Sequence, residues 1–338
     1  MNTSGATGGP VTITGTNAID VGTITTSGFA GNGGAITLNG GAVTFGTIAS
    51  GGGGVGSTAG VLTVTGSSLI GTSISVNGTN GGSGGSLNFT VPQVTIGSIT
   101  ADGDGDGAGG SISFAVTNLI LGSASAQSPG GQGGTIVAFG NNLQATSLNT
   151  SGATGGTVLF GGDQINVQTI NASGTAGDGG VIVLDGGQIT VDTVTALGNG
   201  GDGGRVQFEG INSTSNFIGV GSTTGTGGLV LISNSGVTNG NFINANGWQN
   251  GGTVSLSGAQ VVINTIDASS SAGNGGTVML GGNVNVGIVG ATGNGGNGGN
   301  LQAHGPNINI NLLTVAALSN AGGHGGQVAI TADQGVTI

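Results

Sequence analysis

The chain has 338 residues, including 83 glycines, and its single cationic side chain, Arg205, is outnumbered by 12 acidic ones, for a formal net charge of −11. One arginine without any lysine cannot neutralise a nucleic-acid backbone, so we expect no nucleic-acid partner, and the same lack of cations argues against docking on anionic membranes. No apolar run reaches the ~18 residues of a membrane-spanning helix, and the absence of cysteine excludes disulfides and thiolate metal sites.

The glycine content raises the question of disorder. Glycine and proline together make up about a quarter of the chain, which is typical of low-complexity sequences unless the glycines are periodic. Yet hydrophobic residues reach 35% and charged residues only 4%, the opposite of the usual disordered composition. The spacing of the glycines therefore decides between disorder and a repeat fold.

The glycines recur with a period of about 24 residues. The second residue of each Gly-Gly step before an apolar run (Ala-Gly in one repeat) falls at Gly9, Gly34, Gly60, Gly85, Gly110, Gly134, Gly156, Gly180, Gly204, Gly228, Gly252, Gly276, Gly299 and Gly326. Val, Ile or Leu follows each of these glycines after two residues, and another apolar residue follows after four. This spacing indicates a strand with one buried face.

In chain order, each repeat predicts three short strands and a polar corner. Residues 11–13 are the first strand of the first repeat, and residues 43–45 and 46–48 illustrate the second and third strands. Residues 173–178 illustrate the Gly-rich corner. About 14 such repeats predict an all-β parallel β-helix (β-solenoid) forming a single domain over residues 1–338, with one repeat per rung. Right-handedness is favoured because β-crossover connections are right-handed.

An acidic corner precedes Gly110. Asp102, Asp104 and Asp106 alternate with glycine, as in the first six positions of an EF-hand loop, and carboxylate oxygens are good calcium ligands. The twelfth position, however, is Ser113 rather than Glu. The segment is therefore either a calcium site or a solvated acidic turn. Calcium is the one cofactor that the sequence offers.

A second polar column lies directly before the Gly-Gly steps. Asp178 and Asp202 are 24 residues apart, so stacking places their like charges near each other. The same place is occupied in other repeats by Asn32, Asn250, Asn274, Asn297 and His324. We interpret the column as turn residues that tolerate positive φ. At the Gly-Gly steps themselves we expect both close stacking of the rungs and positive φ.

The outward position of the first strand changes character along the chain. It is apolar at Val137, Leu159 and Val183, which predicts an interaction surface, unless another segment of the parent protein covers it. Trp248, the only tryptophan, lies in a corner and either stacks on a sugar or folds over its own rung. In the early repeats the same outward position is polar and mostly hydroxylated, which raises ice binding as an alternative: Thr12, Thr37, Thr63, Asn88 and Ser113.

The acidic residues do not converge on a catalytic site. General acid–base chemistry needs a pair of groups in one place, whereas Asp163, Asp185, Asp192 and Glu209 lie at different distances from their repeat glycines. We therefore expect a protein that is not an enzyme.

The repeat pattern of Gly-x-Gly-Gly, then Ile-x-Leu, then Val-x-Val-x-Thr-Ile resembles that of secreted bacterial β-helix exoproteins. The nearest kinds are filamentous haemagglutinin-like proteins and autotransporter passenger domains, and the resemblance of repeat style extends over the whole chain. It implies a structural or adhesive stalk segment, secreted or held at the outer-membrane surface. It also implies contact with host or neighbouring-cell surfaces or with glycans. The alternatives are an ice-binding or glycan-binding solenoid, or the subunit of a self-assembling extracellular filament.

The two chain ends are expected to fall inside rungs. Residues 2–9 recur letter for letter at 149–156, and residues 336–338 match the second strand of a rung. Solenoids normally carry atypical capping repeats at their ends. We therefore expect a fragment of a longer repetitive protein. Unpaired rung edges predict end-to-end or lateral self-association.

Overall fold

Consecutive repeats stack as rungs of a parallel β-solenoid. The computed structural model describes residues 1–318 and 323–338, and within these ranges there is no helix, and thus none able to cross a membrane. Parallel strands about 24 residues apart form about 13 turns, which confirms the predicted fold class. The chain divides into two compact units, Met1–Asn171 and Ala172–Ile338, each of which consists of stacked rungs. A single domain over the whole chain stays a prediction.

In the first unit, five rungs consist of a short strand followed by an eight-residue strand. The short strands are β1 (Val11–Thr14), β3 (Ile36–Asn39), β6 (Val61–Thr65), β9 (Ser86–Thr90) and β11 (Ser111–Ala115). The eight-residue strands are β2 (Ala18–Thr25), β4 (Ala42–Ala49), β7 (Ser68–Ser75), β10 (Gln93–Thr100) and β12 (Asn118–Ser125). Two two-residue strands pair at a corner, β5 (Gly52–Gly53) and β8 (Gly78–Thr79). The last two rungs each form one continuous strand, β13 (Thr135–Asn149) and β14 (Thr157–Asn171).

In the second unit, most rungs are single long strands. These are β15 (Val181–Thr195), β16 (Arg205–Gly219), β19 (Thr253–Asp267), β20 (Thr277–Gly290), β21 (Asn300–Thr314) and β22 (Gln327–Thr337). One rung is split into β17 (Leu229–Asn234) and β18 (Val237–Asn244).

The three short strands predicted for each rung merge into two or one. Residues 43–45 and 46–48, for example, both lie in β4, which pairs with β7 from Ala42 to Ala49 apart from Gly46 at the bend. The bend does not end the strand because the neighbouring rung follows the same path and continues the pairing. Strand length here is a property of two adjacent rungs, which the sequence of one repeat does not reveal.

The predicted aliphatic columns form the core of each unit. Val43 pairs with Leu69 and Ile48 with Ile74, and all four side chains are buried. Two aromatic rings continue one column, since Phe89 stacks on Phe114 with ring centroids 4.8 Å apart and an interplanar angle of 13°. Burying apolar surface stabilises by about 25 cal/mol per Å², so each rung is held by the rungs above and below it.

The paired glycines allow the rungs to approach closely. A Cβ added at Gly179 would lie 2.5 Å from the Gly204 nitrogen, and one at Gly110 would overlap the Gly85 carbonyl oxygen. Among the described residues, the glycines with positive φ all lie outside the Gly-Gly steps: Gly54, Gly56, Gly81, Gly105, Gly200, Gly282 and Gly295. The expected close stacking at the Gly-Gly steps is therefore confirmed, whereas the positive φ expected there was wrong.

One stretch of the second unit has a polar interior. Ser213 and Thr238 pair with each other at a position that is aliphatic in most rungs, and both are buried. The Asn234 side-chain nitrogen donates to the Ser213 hydroxyl at 2.7 Å and to the Thr238 hydroxyl at 2.8 Å. The Asn234 Oδ1 atom has no hydrogen-bond partner. An unpaired buried oxygen is costly, and the described interior has one other, the Thr150 hydroxyl oxygen of the first unit.

Candidate functional site

The Asn and Asp residues before the Gly-Gly steps join successive rungs; we call them the Asx column. Asp178 Oδ1 accepts a hydrogen bond from the Asp202 backbone N–H at 2.8 Å, and Asp202 Oδ1 accepts one from the Thr226 N–H at 2.8 Å. The same bond recurs from Asn32 to Thr58, from Asn250 to Asn274, from Asn274 to Asn297 and from Asn297 to His324. The side-chain oxygen thus takes up a backbone donor that the corner leaves free.

This role corrects two expectations. Asn80, with φ 54°, is the only non-glycine residue with positive φ in the described ranges, and it lies outside the Asx column. The column therefore does not exist to supply positive φ. Asp178 does come close to Asp202, as expected, but its carboxylate meets a backbone donor of that residue. The sequence could have indicated this acceptor role, because Asn and Asp replace each other at this position and both carry an Oδ1 acceptor.

Removing one acceptor from the Asx column should loosen a single corner. For Asp202→Ala we expect a loss of about 1 kcal/mol, the net worth of one hydrogen bond, and about fivefold faster hydrogen exchange at the Thr226 amide. Asp202→Asn is the matched control, because it keeps Oδ1 while removing the charge, and exchange at Thr226 should stay close to that of the parent chain. Equal acceleration in both variants would assign the effect to charge rather than to the acceptor.

The acidic corner is arranged as a turn that also contacts the next rung. Asp102 Oδ1 accepts hydrogen bonds from the Ser125 hydroxyl at 2.5 Å and from the Gln127 N–H at 2.9 Å. Asp104 and Asp106 are exposed, and the turn is closed by the Gly107 N–H donating to the Asp104 carbonyl oxygen at 2.9 Å. No group of three His, Cys, Asp or Glu side chains that could hold a metal ion occurs in residues 1–318 and 323–338. Calcium binding stays a prediction.

The apolar residues of the outward first-strand position are partly covered. Val137 and Leu159 are in register on adjacent rungs of the first unit, and both are half-buried. In the second unit, Val183 pairs with Gln207, so polar residues alternate with apolar ones there. Trp248 lies in a corner with 53% of its surface exposed. Phe139, which sequence reasoning missed, is 52% exposed near Val137.

Shallow grooves follow the Gly-Gly steps because these positions have no side chains. In the second unit, a groove of about 500 Å³ passes over Gly179, Gly203 and Gly227, bordered by Asp202 and Arg205. A similar groove of about 400 Å³ lies over the Gly-Gly steps of the first unit. The Arg205 guanidinium donates to the Gln207 side-chain oxygen. The grooves are open surface features whose floors are backbone.

A regular row of hydroxyl groups lies on the last part of the eight-residue strands and their equivalents in the first unit. This hydroxyl column consists of residues in register on seven successive rungs: Thr23, Thr47, Ser73, Ser98, Ser123, Ser147 and Thr169. All seven side chains are exposed or half-buried. The sequence pattern that could have predicted this column is a Ser or Thr directly before the last inward residue of each of these rungs, as at Thr47 before Ile48.

The comparisons with known proteins leave the family open. Neither the protein-family models, nor the curated proteins, nor the solved structures gave a match to this chain. The resemblance to secreted β-helix exoproteins thus remains a prediction.

Proposed function

We propose that this chain is a non-catalytic structural and adhesive segment of the stalk of a large secreted or cell-surface bacterial exoprotein. The observation that carries the proposal is the in-register pairing of rung upon rung within each unit. In the first unit, for example, one column of partners extends from Thr23 to Thr169. A stack in which every rung is paired to its neighbours suits a spacer, because length grows with each repeat while the local structure stays the same.

The composition supports a role outside the cell. Arg205 is the only Lys or Arg in 338 residues, so proteases that cut after basic residues have one site in the chain. Most of the backbone is also held in strands, which resist cleavage unless they open locally.

The structural part of the proposal is tested by pulling the whole chain between its termini in a force spectrometer. We expect abrupt unfolding events, each releasing one or more rungs, and a rung of about 24 residues extends by about 80 Å. The variant Gly110→Ala, which disturbs one rung contact, should lower the first unfolding force. Smooth extension at low force, as for an unfolded chain, would overturn the structural role.

The adhesive part is tested with immobilised glycans. We expect the chain to bind a subset of neutral or acidic glycans, and Trp248→Ala to weaken that binding, since an exposed indole ring can stack on a sugar. Val262→Ala is a control at another exposed apolar position of the same unit. Absence of binding to every glycan would remove the adhesive role and leave a spacer.

The hydroxyl column favours a second candidate function, the binding of ice. A row of hydroxyls recurs about every 4.8 Å, and a second row lies about 6.6 Å away along the strands. The second row is incomplete: it has Thr25, Ser75, Thr100 and Ser125, but Ala49, Asn149 and Asn171 in the other rungs. The complete first row presents water with a periodic series of hydroxyl groups.

Freezing hysteresis separates this second candidate from the first. An ice-binding chain should show hysteresis that Ser98→Leu abolishes, because the leucine interrupts the hydroxyl column at its centre. Thr95→Leu is the matched control, since Thr95 is an outward residue on the same strand but outside the column. No hysteresis in the unaltered chain eliminates the candidate.

A further inference from the structure

The tetrapeptide Gly-Asn-Gly-Gly occurs five times in this chain, at residues 31–34, 198–201, 273–276, 293–296 and 296–299, the last two of which share Gly296. Asn followed by Gly is the pair in which the glycine nitrogen most easily attacks the asparagine side chain, because glycine offers no steric hindrance. Identical local sequence means that the five sites have the same intrinsic reactivity. Any difference between them in the folded chain must come from the structure.

Three of the five sites are tied to the next rung by two hydrogen bonds each. At Asn297, Oδ1 accepts the His324 N–H at 2.8 Å, and the Gly298 N–H donates to the His324 carbonyl oxygen at 2.9 Å. At Asn274, Oδ1 accepts the Asn297 N–H at 2.8 Å, and the N–H of the following Gly275 donates to the Asn297 carbonyl oxygen at 2.9 Å. At Asn32, Oδ1 accepts the Thr58 N–H at 2.9 Å, and the Gly33 N–H donates to the Thr58 carbonyl oxygen at 3.0 Å. Both the attacking nitrogen and the attacked amide are therefore held in place.

The other two sites, Asn199 and Asn294, each lie three residues before the Asx-column residue of the same repeat. Asn294 is exposed, and among residues 1–318 and 323–338 neither its side chain nor the N–H of Gly295, a residue with φ 105°, has a hydrogen-bond partner. Asn199 is also exposed and is followed by Gly200, with φ 109° and no acceptor. The Asn199 side chain differs in one respect, since its Oδ1 accepts a hydrogen bond from the Thr223 hydroxyl at 2.7 Å.

We propose that Asn294 is a site of spontaneous deamidation in the folded protein, that Asn199 reacts more slowly, and that Asn32, Asn274 and Asn297 are protected. The Gly295 nitrogen, losing its proton to solvent, attacks Cγ of Asn294 and forms a C–N bond. The Cγ–Nδ2 bond breaks and the nitrogen leaves as ammonia, which yields a five-membered succinimide. Water then opens the ring to aspartate or isoaspartate, with no change of oxidation state.

The order of reactivity follows from what must open before attack. At Asn32, Asn274 and Asn297, two hydrogen bonds to the next rung have to break, which requires local opening of the corner. At Asn199, only the side-chain bond to Thr223 opposes rotation of the amide towards Gly200. At Asn294, neither group is held. Modification adds one negative charge at an exposed corner to a chain whose formal charge is already −11.

The test is incubation of the whole folded chain in water enriched in heavy oxygen, followed by peptide mass spectrometry. Heavy oxygen enters only residues that deamidate during the incubation. We expect Asn294 to react about tenfold faster than Asn274, the factor that about 1.4 kcal/mol of local opening produces. In denaturant the five tetrapeptides should react at rates within about twofold of one another, because only local sequence then matters.

Thr223→Val is the variant that probes the intermediate site. Loss of the hydroxyl should raise the rate at Asn199 towards that at Asn294 and leave Asn274 unchanged. Equal rates at Asn294 and Asn274 in the folded chain would overturn the proposal, as would a folded chain in which neither reacts while both react in denaturant. An unchanged Asn199 rate in Thr223→Val would overturn the role given to Thr223.

Discussion

Gly110→Ala is expected to destabilise the first unit by about 3 kcal/mol or more, the upper range for overpacking a close contact. The added methyl group would overlap the Gly85 carbonyl oxygen of the preceding rung and lie 2.9 Å from Ala101 Cβ. Its neighbours on one side are backbone atoms, which cannot rotate away as a side chain can. Relief requires the two rungs to separate, and this weakens the Ser111 N–H bond to the Gly85 carbonyl oxygen, now 2.9 Å.

The matched control for this substitution is Gly22→Ala. Gly22 is exposed in β2, a Cβ there would meet nothing within 4 Å, and its φ is not positive. Alanine at such a position typically stabilises by about 0.4–1 kcal/mol, because it restricts the unfolded chain. Urea unfolding followed by circular dichroism measures both variants. Similar effects at Gly110 and Gly22 would contradict close rung packing as the reason for the Gly-Gly steps.

Phe114→Ala is expected to cost about 3–5 kcal/mol, the usual range for removing a buried aromatic ring. Phe114 is 1% exposed and stacks on Phe89, so its loss leaves a cavity in the interior and removes the stacking contact. Because each rung contacts its neighbours only, hydrogen exchange should accelerate most in the rungs next to β11.

The control for this second substitution is Phe139→Ala. Phe139 is in register with Ala115 on the next rung, but its ring is 52% exposed, so truncation should change stability by less than about 1 kcal/mol. The comparison is made by urea unfolding of the two variants under the same conditions. Equal losses of unfolding free energy in the two variants would contradict the assignment of Phe114 to the buried face and Phe139 to the exposed face of these strands.

The inward columns of this fold were predictable from the sequence because burial repeats at a spacing of two residues. Ile36, Ile112 and Val206 are buried where the pattern places them. The length of the strands was not predictable, because the bend at Gly46 resembles a strand end when one repeat is considered alone. Only the neighbouring rung shows that pairing continues through it.

For the candidate surfaces too, the sequence predicted positions within a repeat but not the contacts between rungs. The sequence indicated the place of Asp202 in the repeat, but its partner is a backbone N–H 24 residues later, which no local pattern reveals. The third strand was predicted with Thr47 in it, but the hydroxyl column was not, because such residues form a row only when the rungs stack in register. The acidic corner was recognised, yet the bond from Ser125 to Asp102 depends on how the next rung lies against it.

The central claim is that a periodic glycine-rich sequence folds into stacked rungs rather than remaining disordered. Because the chain has no cysteine, pairs of introduced cysteines can carry spin labels at chosen positions of the hydroxyl column. Thr47 and Ser147 are four rungs apart, Thr23 and Ser147 five, and Thr23 and Thr169 six. Double electron–electron resonance should give narrow distributions of the distance between the two labels, centred at about 19, 24 and 29 Å, an increase of about 4.8 Å per rung. Broad distributions, or distances without that constant increment, would contradict the stacked solenoid.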